Sequence, residues 1–300
     1  MSETGIPDAR MASKRKHDED KDQCQRSKRQ KRPGGGTTEK SERVWPNGNR
    51  YYGEWKHGKR HGTGIFVWAD RLDVYVGQWH EDTRHGNGNL FSNDGSRFAG
   101  QWKHDQKHGH GTQKWPDGWV YTGEWKHGQR HGYGTEKNSE GDVFTGEWKN
   151  DRKHGHGVHV CASGKRLEGR YKRGELCYGT SEECDGVSYT GEWKHGNPHG
   201  YGCSRYPNGK VYTGEWKRGK ASGKAVIVYA NKNRYVGQVV NGFPHGRGVM
   251  KYFDGCRYLG EWVEGLFDGQ GTFVSSDGFS YTGQYKKDRR HGVGTAVTRK

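Results

Sequence analysis

No stretch of these 300 residues approaches the run of about 20 apolar residues that a membrane-spanning helix needs. The N-terminus also lacks an apolar segment, so a secretory signal is not expected. Apolar residues of every kind supply only 28% of the chain, too few for the thick core of an ordinary globular domain. Cysteine is sparse and unpatterned: Cys24, Cys161, Cys177, Cys184, Cys203 and Cys256 form no CxxC pair and no regular framework. Reduced thiols in an intracellular protein are the simplest reading of that usage.

Glycine and aromatic residues are in excess. Fifty-one Gly accompany 12 Trp, 17 Tyr and 9 Phe, far too many rings for a solvated coil. Rings with few aliphatic neighbours point to a thin structure in which they lie on bare backbone, a single-layer sheet. The net charge is +16. Residues 1–43 hold 12 basic and 8 acidic residues, which leaves 39 basic and 27 acidic for residues 44–300. The second segment is therefore itself basic and fits an acidic partner, whether phospholipid, nucleic acid or protein.

The chain repeats itself. The segment Tyr121-Thr122-Gly123-Glu124-Trp125-Lys126-His127-Gly128 recurs with its anchor glycine at Gly53, Gly77, Gly100, Gly123, Gly146, Gly169, Gly191, Gly214, Gly237, Gly260 and Gly283. Spacings are 23 residues except for one of 24 and one of 22. Each unit has the grammar of a β-hairpin. Alternation along a strand puts positions −2, 0 and +2 from the anchor on one face, as in Tyr121, Gly123 and Trp125. Thr122, Glu124 and Lys126 take the other face, so one side packs and the other meets water. The return strand carries Gly-x-Gly, as in Gly132 and Gly134, which clears space for rings to lie on backbone. Asp117-Gly118, Asn208-Gly209 and Asp254-Gly255 close the units with residues suited to tight turns. The expected fold is all-β: an elongated, single-layer, twisted antiparallel sheet of about eleven tandem hairpins over residues 44–300. Trp45-Pro46-Asn47-Gly48 looks like the end of a preceding half unit. Residues 1–43 are expected to be a disordered, charged tail.

The pattern Tyr-x-Gly-Glu-Trp-Lys-x-Gly-x-x-x-Gly-x-Gly resembles the MORN (membrane occupation and recognition nexus) repeat throughout residues 44–300. The resemblance implies a β-hairpin scaffold without enzymatic activity or cofactor, which binds protein partners and, in some members, membrane phospholipid. Other members attach the array to a kinase or methyltransferase domain, for which this sequence leaves no residues. Three units depart from the pattern. Unit six is one residue short, unit eight has Ala225 for the second glycine, and unit nine has Val239 where Trp is expected.

Each candidate site competes with a plainer role. Histidines eight positions after the anchor, such as His61, His85 and His108, invite a metal or pH-sensing reading. Equivalent positions lie two strands apart, roughly 10 Å, too far to converge on one zinc ion, so turn closure and ring packing are expected. The glutamates at +1 share a face with the lysine two residues on and are expected to make cross-strand and same-face charge pairs. Basic residues of units one to five form a candidate edge for an anionic ligand: Lys56, Lys59, Arg60, Arg84, Lys103, Lys107, Lys126, Arg130, Lys149, Arg152 and Lys153. A solubilising edge that discourages sheet-to-sheet pairing is the competing reading. In units nine and ten the turns and the residues beside them are apolar, at Val239, Val240, Phe243, Val263, Leu266 and Phe267. They form a candidate patch for a protein partner or a homodimer. In the tail, Lys14, Arg15 and Lys16 followed by Lys28, Arg29, Lys31 and Arg32 resemble a bipartite nuclear signal. The expected function is an interaction scaffold, with the nucleus as the first expected address and the cytoplasm or membrane periphery as the alternative. A nucleic-acid-binding protein using the basic turns, or a regulatory module of a larger enzyme complex, stand as alternatives.

Overall fold

The structure, a computed structural model, describes residues 39–298. Among them every regular element is a β-strand, and 23 strands make one open antiparallel sheet. Each strand pairs with its neighbours in sequence. Strand β1 (Glu39–Val44) pairs with β2 (Arg50–Lys56), β2 pairs with β3 (Lys59–Val67), and the same step repeats to Ser280–Lys286 with Arg289–Val297. The tandem hairpins expected from the repeat are therefore present. One boundary moves. Residues 39–43, assigned to the tail from sequence, are strand, because β1 completes the half unit before Trp45 and Ser41 O accepts the Trp55 indole N–H at 3.2 Å. The basic clusters between Lys14 and Arg32 lie outside the described residues.

The core is one face of this sheet. Tyr121, Gly123 and Trp125 all face it and are buried, whereas Thr122 and Lys126 are exposed. The Tyr121 ring lies over Gly123 and Gly134, which face each other across the hairpin, and its hydroxyl donates to Glu124 O at 3.0 Å. A Cβ added to Gly123 would sit 2.5 Å from Gly134 Cα, and one added to Gly134 would sit 2.3 Å from Tyr121 Oη. That contact is why the glycine pair recurs.

Trp125 meets Tyr121 edge to face at 5.2 Å, and Tyr121 meets Trp148 of the next hairpin at 5.3 Å. Such alternation links hairpin to hairpin, each pair adding roughly 0.5–1.5 kcal/mol beyond area burial. The indole N–H groups are satisfied too: Trp125 donates to Gly111 O at 3.1 Å and Trp148 to Gly134 O at 3.2 Å.

Past the anchor glycine a bulge sets one residue against three. Glu124 fills it, its carboxylate accepting the Tyr133 backbone N–H at 2.8 Å. Glu147 and Glu192 do the same for His156 and Tyr201. The +1 glutamates thus hold the hairpin backbone, and Glu261 also makes a cross-strand charge pair of the expected kind, with Arg247 at 4.0 Å.

Unit six is the irregular one. It has Leu167 at the tyrosine position and Tyr171 at the tryptophan position, and the buried Tyr171 hydroxyl has no hydrogen-bond partner. In unit nine Val239 fills the tryptophan site and is only 1% exposed.

Candidate interaction surface

A two-residue turn joins the strands of each hairpin, as at His57 and Gly58, whose positive φ angles of 51° and 74° suit such a turn. The geometry makes position +2 face +7 and position +3 face +6. Trp55 accordingly pairs with Arg60, and Lys56 with Lys59. Since +2 is tryptophan, +7 lies on the aromatic face; +3 and +6 lie on the outer face.

This rule divides the basic residues of units one to five into two rows with different surroundings. Arg60, Arg84, Lys107, Arg130 and Lys153 stand at +7, half-buried over the rings. The Arg60 guanidinium lies 4.3 Å from the Trp79 ring centre, Arg84 4.2 Å from Trp102, and Arg130 4.3 Å from Trp148. Each of these arginines also binds an aspartate of the next turn: Arg60 with Asp82 at 3.1 Å, Arg84 with Asp105 at 2.9 Å, Arg130 with Asp151 at 3.1 Å. Where the next turn has Gly128 or Gly174 instead, lysine takes the site. Lys107 Nζ sits 4.9 Å from the Phe98 and Trp125 ring centres and donates to Gln113. Burial pushes its pKa down to about 8, with Arg84 adding to the shift and Asp151 opposing it. Lys153 Nζ lies 4.6 Å over Phe144 and 3.3 Å from Glu136, a buried carboxylate that Arg130 also binds. These five residues join repeats together and are not part of an open edge, so the edge read from sequence is corrected for them.

Lys56, Lys59, Lys103, Lys126, Lys149 and Arg152 occupy +3 and +6 and are exposed on the outer face. Lys172, Lys194 and Lys217 continue the row at +3. Behind it runs a ladder, the −1 row, in which position −1 of one hairpin meets position +12 of the hairpin before: Thr122 meets Thr112 and Thr145 meets Thr135, each pair with Oγ atoms 3.0 Å apart.

Comparison with known proteins follows the same periodicity. The MORN repeat family model matches residues 51–72, 75–97, 98–120, 121–143, 144–166, 189–211, 212–234, 235–257, 258–279 and 281–297. The chain belongs to the MORN-repeat family. Unit six, where Tyr171 has lost its partner, falls in the gap between matched repeats. No curated protein matches the chain. Among solved structures, the SAS-4 (dCPAP) TCP domain of Drosophila melanogaster, in complex with a proline-rich motif of Ana2 (dSTIL), covers 71% of this chain and 90% of its own. It is 12% identical with a TM-score of 0.24 and supports no further comparison.

The apolar residues of MORN units nine and ten divide by the same rule. Val240, Phe243, Val263 and Leu266 stand at +3 and +6 on the outer face and are exposed, Phe243 to 58%. Val239 and Phe267 stand at +2 and +7 and belong to the core. Phe267 stacks on Tyr258 at 3.7 Å, the place that arginine takes in the early repeats. The six-residue patch read from sequence is therefore a four-residue patch.

The histidines lie closer together than equivalent repeat positions would be, because His80 at a strand end and His104 in a turn fill the gaps. Ring centres of His61 and His80 are 5.0 Å apart, His80 and His85 5.6 Å, His85 and His104 5.7 Å. Burial, then the neighbouring His80, His104 and Lys103, hold His85 below the usual histidine range. No group of three or more His, Cys, Asp or Glu among the described residues is placed to hold a metal ion.

Proposed function

We propose that this chain is an interaction scaffold whose aromatic face is committed to stability and whose outer face binds. MORN repeats are non-enzymatic modules for protein and phospholipid interaction, and this reading assigns those roles to two regions of one face. The observation that carries it is the outer row of Lys56, Lys103, Lys126 and Lys149, at one position of hairpins one, three, four and five and exposed in each, with His80 at that position of hairpin two. Lysines near an anionic membrane contribute about 1 kcal/mol apiece, so a row of them gives usable affinity although each is weak. Val240, Phe243, Val263 and Leu266 interrupt the row and form the protein-binding region.

The test is sedimentation with phosphatidylcholine vesicles with and without phosphatidylserine. Binding only to the anionic vesicles, weakening as salt rises, supports the reading. Equal binding to both kinds, or none at physiological salt, contradicts the phospholipid role. Duplex DNA serves as the third ligand, and tighter binding to it than to vesicles would favour the nucleic-acid alternative.

The N-terminal basic clusters, Lys14 to Lys16 and Lys28 to Arg32, are proposed to direct nuclear entry. Residues 1–43 fused to a reporter too large to diffuse through nuclear pores should carry it inside. A cytoplasmic fusion would remove the proposal.

A further inference from the structure

The outer face changes character over four consecutive strands, Arg234–Val240, Phe243–Lys251, Arg257–Val263 and Leu266–Val274. Elsewhere its −1 row is dominated by threonine; here Val236, Val249 and Leu259 stand side by side in register, with Leu259 60% exposed. The tip row turns apolar in the same strands, at Val240, Phe243, Val263 and Leu266. Tyr52, Ile65 and Val76 make an apolar −1 row in the first hairpins, but the tip residues beside them are Lys56 and Lys59. On the three strands from Arg234 to Val263 both rows are apolar together; the fourth keeps Leu266 at the tip but has Thr272 beside Leu259. Between them lies a polar row that contains the facing pair Arg247 and Glu261. Outside the −1 row, at −3, come Arg234, Lys251 and Arg257, three exposed cations on adjacent strands.

We infer that this platform docks an acidic amphipathic helix of a partner protein, an inference that rests on the scaffold reading above. Along a strand the two apolar rows are four residues apart, about 13 Å, and the cations lie about 7 Å further on. A helix laid along the strands rises about 1.5 Å per residue. Two apolar side chains at i and i+8 therefore reach both rows from one helix face, and carboxylates at i+11 and i+12 reach Arg234, Lys251 and Arg257. The polar row below accommodates a polar residue at i+4. Charge argues against a second copy of this chain as the occupant. With 39 basic and 27 acidic residues in residues 44–300, like charge would meet like across that contact, whereas an acidic helix is complementary.

The experiment measures anisotropy of a labelled helical peptide with leucine at i and i+8 and glutamate at i+11 and i+12, titrated with the full chain. Two control peptides replace glutamate by lysine or leucine by serine. The chain variants use residues its own repeats place at the same positions, Leu259→Thr and the pair Val240→Lys with Val263→Lys, so folding is safeguarded. The acidic peptide should bind about tenfold or more tighter than either control, and each variant should weaken it by a similar factor. Lys251→Glu with Arg257→Glu should reverse the preference between acidic and basic peptides. Equal binding of the three peptides, or unchanged affinity in the variants, overturns the inference. Phosphatidylserine vesicles separate it from its parent reading. If vesicles bind and the acidic peptide does not, the docking inference fails and the scaffold stands; if neither binds, both fail. Vesicle binding that Leu259→Thr abolishes would make the platform a membrane site and overturn the inference.

Discussion

Arg60 and Asp82 lock one hairpin to the next by reciprocal bonds. The Arg60 backbone N–H and Nε both donate to Asp82 Oδ1, at 2.9 and 3.1 Å, and its terminal nitrogen donates to Asp82 O at 2.7 Å. Asp82 N–H returns a bond to Arg60 O at 3.0 Å. The pair spans two repeats, so it opposes fraying between units. With the carboxylate half-exposed, solvent screens the charge, and Asp82→Ala should cost about 1–2 kcal/mol. A repeat array loses stability locally, so the loss should appear as faster amide exchange in the two flanking hairpins. The converse follows at unit four, where Gly128 has φ of 80° and open space where a Cβ would go. Lys107→Arg with Gly128→Asp should install the missing lock and slow exchange there.

The two glycines of each hairpin should respond unequally to alanine. At Gly123 the new methyl meets backbone, Gly134 Cα at 2.5 Å and Tyr133 O at 2.7 Å, which cannot step aside. At Gly134 it meets the Tyr121 ring, and Ala225 already occupies the equivalent position in unit eight beneath Tyr212. Gly123→Ala should cost about 3 kcal/mol or more and Gly134→Ala about half of that, measured by chemical denaturation. Equal costs would contradict the role given to backbone approach.

Unit six carries a removable defect. The buried Tyr171 hydroxyl lacks a partner, whereas a tryptophan there could donate its indole N–H backwards as Trp148 does to Gly134 O. Tyr171→Phe should be neutral or stabilising, and Tyr171→Trp should stabilise by about 1 kcal/mol. Loss of stability in Tyr171→Phe would reveal a hydrogen bond that the account omits.

Alkaline pH should unfold the array. Burial raises Tyr51, Tyr189 and Tyr235 to about 12 from an ordinary value of 10.0. Below pH 10 both folded and unfolded chains hold these phenols neutral, and their contribution is fully present. Between pH 10 and 12 only the unfolded chain ionises, so stability falls as pH rises. Lys107, depressed to about 8, acts the other way between 8 and 10.5 but is one group against several. Tyrosinate absorbance should rise in a cooperative step together with loss of the sheet signal in circular dichroism. Four tyrosines, Tyr52, Tyr133, Tyr178 and Tyr201, are exposed and need not wait for that step, so the contradicting result is ionisation of every tyrosine with the fold intact.

Much of this was legible in sequence. A period of two, repeated every 23 residues, makes the aromatic face and the Gly123–Gly134 approach readable from residue types alone. The division of basic residues was also written there, because a two-residue turn sends +7 back beside tryptophan. Lys59 and Arg60, adjacent in sequence, therefore fall on opposite faces. A second signal was available: Arg at +7 accompanies Asp at the following turn in Arg60/Asp82, Arg84/Asp105 and Arg130/Asp151. The bulge was less legible, since nothing in Glu124 itself announces that its carboxylate will accept the Tyr133 N–H. The apolar −1 row at Val236, Val249 and Leu259 became visible only through register, because its members are distant in sequence.

The central claim is that the two basic rows do different work, and one paired measurement tests it. One variant replaces Lys56, Lys103, Lys126 and Lys149 by Gln; the other replaces Arg60, Arg84, Lys107 and Arg130 by Gln. Each is assayed for thermal stability and for sedimentation with phosphatidylserine vesicles. The account predicts that the first variant keeps its melting temperature and loses vesicle binding, while the second melts several degrees lower and, at a temperature where it is folded, still binds. The reverse pattern, with binding lost only in the second variant at unchanged stability, would contradict it.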